Sequence, residues 1–359
     1  MKRTLFLAAI ALAVTSCQVG EKVPDCVCME NVELTFRYHF APTQEDMPIY
    51  VGSITHLLFR NDTLVGRLYV DGHVDGEGLL DPALARSGEG TRRNTYNLRT
   101  LRLSLPDGRY DLMSWGNYLE GTSLFEDAAA PGAPLQIGET LRKDVSLRHV
   151  IASPANHGTL DNCERLYFGS YEFDVVRNRH YSHTIDMINA HMQLTAMVIW
   201  GDGVTPPADL RDLRMRLSDT PTGYSQFVTD TLPLVLTAPQ PAYGPRQAYE
   251  MVPAWDGNLG TISAGVSPLE TNKVSSQLIG YRLRDESHPL LSVWDAAGTT
   301  QLVKDVDLGR FFETIGWART CNRRQVYDIL VTLRANGDVT VEPLDNIGWI
   351  DGGTISAAP

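Results

Sequence analysis

Apolar and polar residues alternate along most of this chain with a period of two, the spacing of strands that bury one face. Val32-Glu33-Leu34-Thr35-Phe36-Arg37-Tyr38 alternates without a break. Ile54 to Phe59 and Leu64 to Val70 are two further runs, and Arg60-Asn61-Asp62-Thr63 between them predicts a hairpin, because Asn and Asp tolerate the left-handed backbone of a tight turn. Leu101 to Leu105 and Tyr110 to Trp115 flank the turn signal Pro106-Asp107-Gly108, and Val145 to Val150 and Leu166 to Val176 add two more strands. A second inventory follows: Met192 to Trp200, Leu210 to Leu217, Phe227 to Leu236, Ser276 to Leu283, and a hairpin of Val326 to Leu333 with Val339 to Val341 about the turn Ala335-Asn336-Gly337-Asp338. Helical signals are few, one turn at Pro82 to Arg86 and a short helix at Gly309 to Trp317. Residues 86–94 and the Pro-rich stretch 238–253 read as surface excursions. A weak break at 177–190 divides the strands into two similar sets. The pattern therefore predicts an all-β protein of two tandem antiparallel β-sandwich domains, 31–182 and 183–359.

The N-terminus follows a different rule. Lys2 and Arg3 precede an apolar run from Leu5 to Val14, about half of the roughly 20 residues that a spanning helix needs. Its length and basic flank are those of a secretory signal. The run ends in Val14-Thr15-Ser16-Cys17, the pattern of a bacterial lipobox: small residues fit the peptidase cleft, and the Cys thiol accepts a diacylglycerol. The expectation is a lipoprotein signal peptide at 1–16, lipidation at Cys17, and a polar tether over 17–30. Each buried CH₂ adds about 0.8 kcal/mol, so the two or three chains of a bacterial lipoprotein hold stably where one would not.

Composition narrows the function. The net charge of −12 disfavours nucleic acid as a partner. Apolar residues make up 43%, enough for ordinary cores. Beyond Cys17 the cysteines are Cys26, Cys28, Cys163 and Cys321, whose pairing the sequence leaves open; Cys26 and Cys28 are too close for a relaxed bridge to each other. No second ligand pair stands at zinc-finger spacing, and neither a metal nor a cofactor is expected.

Catalytic patterns are missing from the sequence. Thr261-Ile262-Ser263-Ala264-Gly265 lacks the first Gly of a nucleophile elbow, and neither a P-loop nor a dinucleotide fingerprint occurs. His180, His183 and His191 form the densest histidine group and read as exposed histidines of a linker or strand. Glu172 and Asp174 share a strand face, but a glycosidase needs two carboxyls opposed across a cleft. Trp115 and Trp200 end apolar strands and are expected in the core, whereas Trp255, Trp294, Trp317 and Trp349 are candidates for stacking on sugars. No enzyme is expected.

Several segments together resemble the FimB-type fimbrial anchor subunits, the minor-fimbrium anchor family of Bacteroidales. Leu105-Pro106-Asp107-Gly108-Arg109-Tyr110-Asp111-Leu112-Met113-Ser114-Trp115-Gly116-Asn117 is similar to that family's L-P-x-G-x-Y-x-x-x-x-W-g-N run. Leu166-Tyr167-Phe168-Gly169 resembles its mid-chain L-f-y-G, and Ser53 to Phe59 and the closing hairpin Tyr327 to Val341 also fit. A Cys-Pro pair found before the first strand in many relatives is absent here, where Asp25-Cys26-Val27-Cys28 stands instead. The resemblance implies transthyretin-like sandwiches and a cell-surface, fimbrium-associated lipoprotein. Cys17 would attach it to the outer membrane, and pilin subunits would join it by strand complementation. It also admits host or bacterial surface ligands. A polymerising or tip subunit, and a surface glycan-binding lipoprotein, are the alternatives.

Overall fold

A computed structural model describes residues 31–39, 46–71, 77–80, 95–130, 132–149, 159–160, 162–177, 179–208, 210, 213–221, 223–227, 234–237, 248–251, 272–285, 287–295, 297–319, 322, 325–344, 347–350 and 354–357. Strands dominate, as the period-two pattern predicts. In the first half they are β1 (Val32–Arg37), β2 (Ser53–Arg60), β3 (Thr63–Asp71), β4 (Glu77–Leu80), β5 (Thr95–Tyr96), β6 (Thr100–Leu103), β7 (Gly108–Gly116), β8 (Ser123–Asp127), β9 (Val145–His149), β10 (Thr159–Leu160), β11 (Tyr167–Val175), β12 (Tyr181–Asp186) and β13 (Ile188–Asn189). The second half holds β14 (His191–Trp200), β15 (Arg214–Ser218), β16 (Gly223–Phe227), β17 (Leu234–Thr237), β18 (Ala248–Met251), β19 (Lys273–Tyr281), β20 (Leu290–Trp294), β21 (Gln301–Asp307), β22 (Val326–Leu333), β23 (Val339–Pro343), β24 (Ile347–Ile350) and β25 (Thr354–Ala357).

The first sandwich is built around a six-stranded sheet of order β13-β11-β7-β2-β3-β4. Alternate residues of β7 serve opposite cores. Tyr110 and Leu112 face a cluster with Val32, Leu34 and Phe36 of the sheet β12-β1-β6-β5. Met113 and Trp115 face a cluster with Phe125, Val145, Leu147 and Tyr224 of the sheet β17-β16-β9-β8. Covering on both faces buries every residue from Ile54 to Phe59, the polar Thr55 and His56 included, so β2 lacks the alternation of a half-buried strand. The second sandwich packs the sheet β10-β18-β15-β20-β21 on the sheet β19-β14-β22-β23 around Leu194, Val198, Met215, Leu291, Phe312 and Ile329.

The all-β sandwich class is therefore as expected. The cut expected between 182 and 183 falls inside β12, which runs parallel to β1 and delivers Ile185 to the first core. The halves also exchange strands: β16 pairs with β9, and β10 pairs with β18. Polar contacts at the junction are buried. Arg282 donates to the Asn189 carbonyl at 2.7 Å and to the Asn322 carbonyl at 2.7 Å, and Tyr224 donates its hydroxyl to the Ala190 carbonyl.

Local departures have local causes. The hairpin at 60–63 forms with Asn61 at φ 49 and Asp62 at φ 65, the left-handed pair predicted for it. Of residues 227–236, read as one strand, Phe227 ends β16 while Leu234 to Leu236 lie in β17, which runs antiparallel to it. Ala248–Met251, within a stretch read as an excursion, lies between β10 and β15. The expected helix at 309–317 spans Leu308–Thr314, capped where the Asp307 carboxylate accepts the Arg310 amide at 2.9 Å. Residues 82–94 and Val150 lie outside the described residues.

Candidate attachment strand and surface edges

Cys17 and the tether 17–30 lie outside the described residues, and β1 is the first described strand. Its alternation Val-Glu-Leu-Thr-Phe-Arg puts Val32, Leu34 and Phe36 wholly into the core and Glu33, Thr35 and Arg37 outward. It is an interior strand. Val32 to Arg37 register in parallel with Tyr181 to Asp186, and Val32 to Thr35 register antiparallel with Leu103 to Thr100. Asn31 closes the start of this ladder by imitating a backbone unit: its side chain accepts the Leu105 amide at 2.8 Å and donates to the Leu105 carbonyl at 2.7 Å. Arg37 pairs with Asp186 at 3.0 Å and Arg102 with Glu33 at 3.2 Å, one ion pair toward each neighbour.

The residues of the 105–117 run have identifiable duties. Tyr110 turns its hydroxyl back to donate to the Pro106 carbonyl at 2.9 Å, holding the turn. A Cβ on Gly108 would stand 2.9 Å from Arg60 Nε, and Arg60 donates to the Asp107 carbonyl at 2.7 Å, so a small residue there lets the guanidinium reach the turn. Trp115 plugs the second core against Phe168 and Phe125. Asn117, at φ 58, accepts the Gly52 amide at 2.7 Å and donates to the Tyr50 and Arg165 carbonyls at 2.7 and 3.1 Å. In the 166–169 run a Cβ on Gly169 would lie 2.8 Å from Ile185 Cγ2, so glycine admits β12 against β11.

The three histidines separate. His180 is exposed. His183 sits on β12 and stacks on Tyr171 with ring centroids 3.6 Å apart. His191, expected to be exposed, is buried at the start of β14, and its Nδ1 meets the Leu166 carbonyl at 2.7 Å. Burial pushes its pKa down to about 4. His56, which the alternation did not single out, is fully buried beneath Phe36, with Nδ1 2.9 Å from Ser114 Oγ and a pKa that burial lowers to about 3. Glu172 lies across the ladder from Asp111, and Arg142 bridges both carboxylates at 2.8 Å while Arg109 takes Glu172 at 2.7 Å. Burial raises Asp111 to about 6 against the pull of Arg142. The pair is thus closed by guanidinium groups, and Asp174 is exposed one turn of the pleat away.

Trp115 and Trp200 are core residues, as expected. Trp317 packs with Phe312 and Tyr327 against the core of the second sandwich, and the Arg216 guanidinium lies over the Trp294 ring at 4.3 Å. Trp255 and the side chain of Trp349 lie outside the described residues, as do Cys26, Cys28 and Cys321. Cys163 is a buried free thiol. Among the described residues no three His, Cys, Asp or Glu side chains stand together as metal ligands, and no helix is long and apolar enough to cross a membrane.

Several strands lie at sheet edges, β21 and β23 among them. Among the described residues β23 is hydrogen-bonded only to β22, and β21 only to β20. Their residues are exposed or half-buried, with Val303 of β21 the buried exception. An edge of this kind presents main-chain donors and acceptors to another strand.

Sandwiches joined by exchanged strands, with exposed edges and a seated N-terminal strand, define an all-β sandwich protein. The model of the fimbrillin-A associated anchor proteins Mfa1 and Mfa2 matches residues 24–347, and the chain belongs to that family. That is a family of fimbrial anchor proteins, not of enzymes. Among solved structures it is similar to the fimbrial anchor protein Mfa2 from Porphyromonas gingivalis, with 12% identity and TM-score 0.53 over 91% of this chain and 99% of that one. A candidate adhesin from Bacteroides ovatus shares 15% identity and TM-score 0.56 over 87% of this chain and 92% of that one. A candidate polysaccharide-binding protein from Bacteroides thetaiotaomicron shares 14% identity and TM-score 0.56, covering 86% and 95%. No curated protein sequence matches significantly. A cell-surface, fimbrium-associated role with fimbrial subunits as partners follows from the family.

Proposed function

We propose that this protein is the lipid-held anchor of a fimbrium: Cys17 carries the acyl chains in the outer membrane, and the folded part grips pilin. The observation that carries the reading is a lipobox ending at Cys17 in a chain whose family comprises fimbrial anchors. The grip on pilin is strand complementation at an exposed edge, and β23 is the edge that suits it, with Val339 exposed and Pro343 at its end, where a missing amide donor costs least. A polymerising subunit would lose its N-terminal segment on maturation, whereas an anchor keeps it.

Fatty-acid labelling of the native strain tests the attachment. The wild-type chain should take up labelled palmitate and sediment with the outer membrane, whereas Cys17→Ala should take up none and leave that fraction. Label retained on Cys17→Ala would overturn the reading.

A further inference from the structure

We propose that the fold carries tension along its length through two parallel strand pairs loaded in series, so that it resists pulling from the N-terminus far better than its stability alone implies. The proposal rests on the reading that the N-terminus is tethered and that pilin is held by the second half.

The topology supports this pair by pair. β1 and β12 are parallel, with Val32 beside Tyr181 and Arg37 beside Asp186. A membrane tether pulls β1 from its first residue. The chain leaves β12 from its last residue toward the second half. The two forces therefore act at opposite ends of one ladder and along its axis. In that geometry the rungs share the load and must break together, whereas in a hairpin pulled from its open end they break one at a time.

The same arrangement recurs one step further on. β14 follows β12 and β13 directly, and it is parallel to β22, from Gln193 beside Val326 to Trp200 beside Leu333. Load enters β14 at its start and leaves β22 at its end, again in shear. Between the two ladders, the connector 187–190 is fastened. Met187 donates to the Arg37 carbonyl at 2.7 Å, Ala190 donates to the Leu166 carbonyl at 2.7 Å, and Asn189 accepts from Tyr38 at 2.6 Å and from Arg282 at 2.7 Å.

The leading strand of each ladder, β1 and β14, is also braced from its other side. β1 pairs with β6, and β14 pairs with β19 over His191 to Ile199. The antiparallel pairs dominate the sheets, yet parallel ones fall on the line from the tether to the closing hairpin.

Single-molecule pulling on the full chain tests the proposal without any destabilising substitution. One molecule is held at the N-terminus and at the exposed turn residue Asn336, which loads both parallel ladders in shear. A second is held at the N-terminus and at the exposed Asp107, beside the start of β1, which peels β1 from one end. Forced unfolding reports the unfolding barrier along the pulled direction. The rupture force at matched loading rate should be severalfold higher through Asn336 than through Asp107. Equal forces, or a lower force through Asn336, would overturn the proposal. The outcome is independent of lipidation: shear resistance with fimbriae unchanged by loss of Cys17 would sink the anchor reading alone.

Discussion

His56 and His191 tie the stability of this fold to pH through a simple sign. Both are buried and neutral, with pKa values near 3 and 4 against an ordinary 6.5. Below pH 6.5 the unfolded chain takes up protons that the folded chain refuses, so stability falls as pH falls. The loss is about 1.4 kcal/mol per pH unit for each histidine until its folded pKa is reached. His56→Gln should remove about half of that slope between pH 6 and 4 in urea titrations; an unchanged slope would mean that His56 takes up its proton in the folded state. Asn117 bears on stability in another way. Its left-handed backbone costs an ordinary side chain about 1–2 kcal/mol, and its hydrogen bonds contribute roughly 0.5–1.5 kcal/mol each. Asn117→Ala should therefore destabilise by about 2–4 kcal/mol, with Asn117→Gly recovering the backbone share. At this scale the sequence shows a residue only where its environment follows from its own run. Trp115 ends an apolar strand and is legible as core. His191 stands just ahead of the apolar run from Met192, and its burial comes from Leu166 and Tyr167, which are distant in the sequence.

Hairpins are the most legible elements because their signals are local. Asn61-Asp62 and Asn336-Gly337 sit where turns form, and the flanking runs supply the register. Strands that pair at a distance are less visible. β12, Tyr-Ser-His-Thr-Ile-Asp, buries only Ile185 and shows no clean period, so it reads as a break although it flanks β1 along its whole length. β18 is short and surrounded by prolines in the sequence, and its place in the sheet comes from β15 and β10. A consequence can be checked. A fragment ending at 182 lacks most of β12 and all of β16, and so leaves Val32, Leu34, Leu147 and Trp115 short of their cover. Residues 31–182 alone should show no cooperative unfolding by near-UV circular dichroism on heating. A sharp transition would show that the first set of strands suffices.

For the molecule as a whole, the two cores are joined by packing and polar contacts. Tyr224 and Tyr281 from the second half lie in one cluster with Trp115 and Phe168, and Arg282 ties the junction to Asn189. This continuity suits the proposed link between membrane and polymer. The carboxylates Asp111 and Glu172 are bound by Arg142, and the half-buried Trp294 is overlain by Arg216.

The most direct test of the anchoring account is to count fimbriae on cells and in the medium of the native strain carrying Cys17→Ala. The account predicts that fibres still assemble but are shed, so that the medium gains what the cells lose. Cell-bound fimbriae in wild-type number, with the protein itself gone from the membrane, would contradict it.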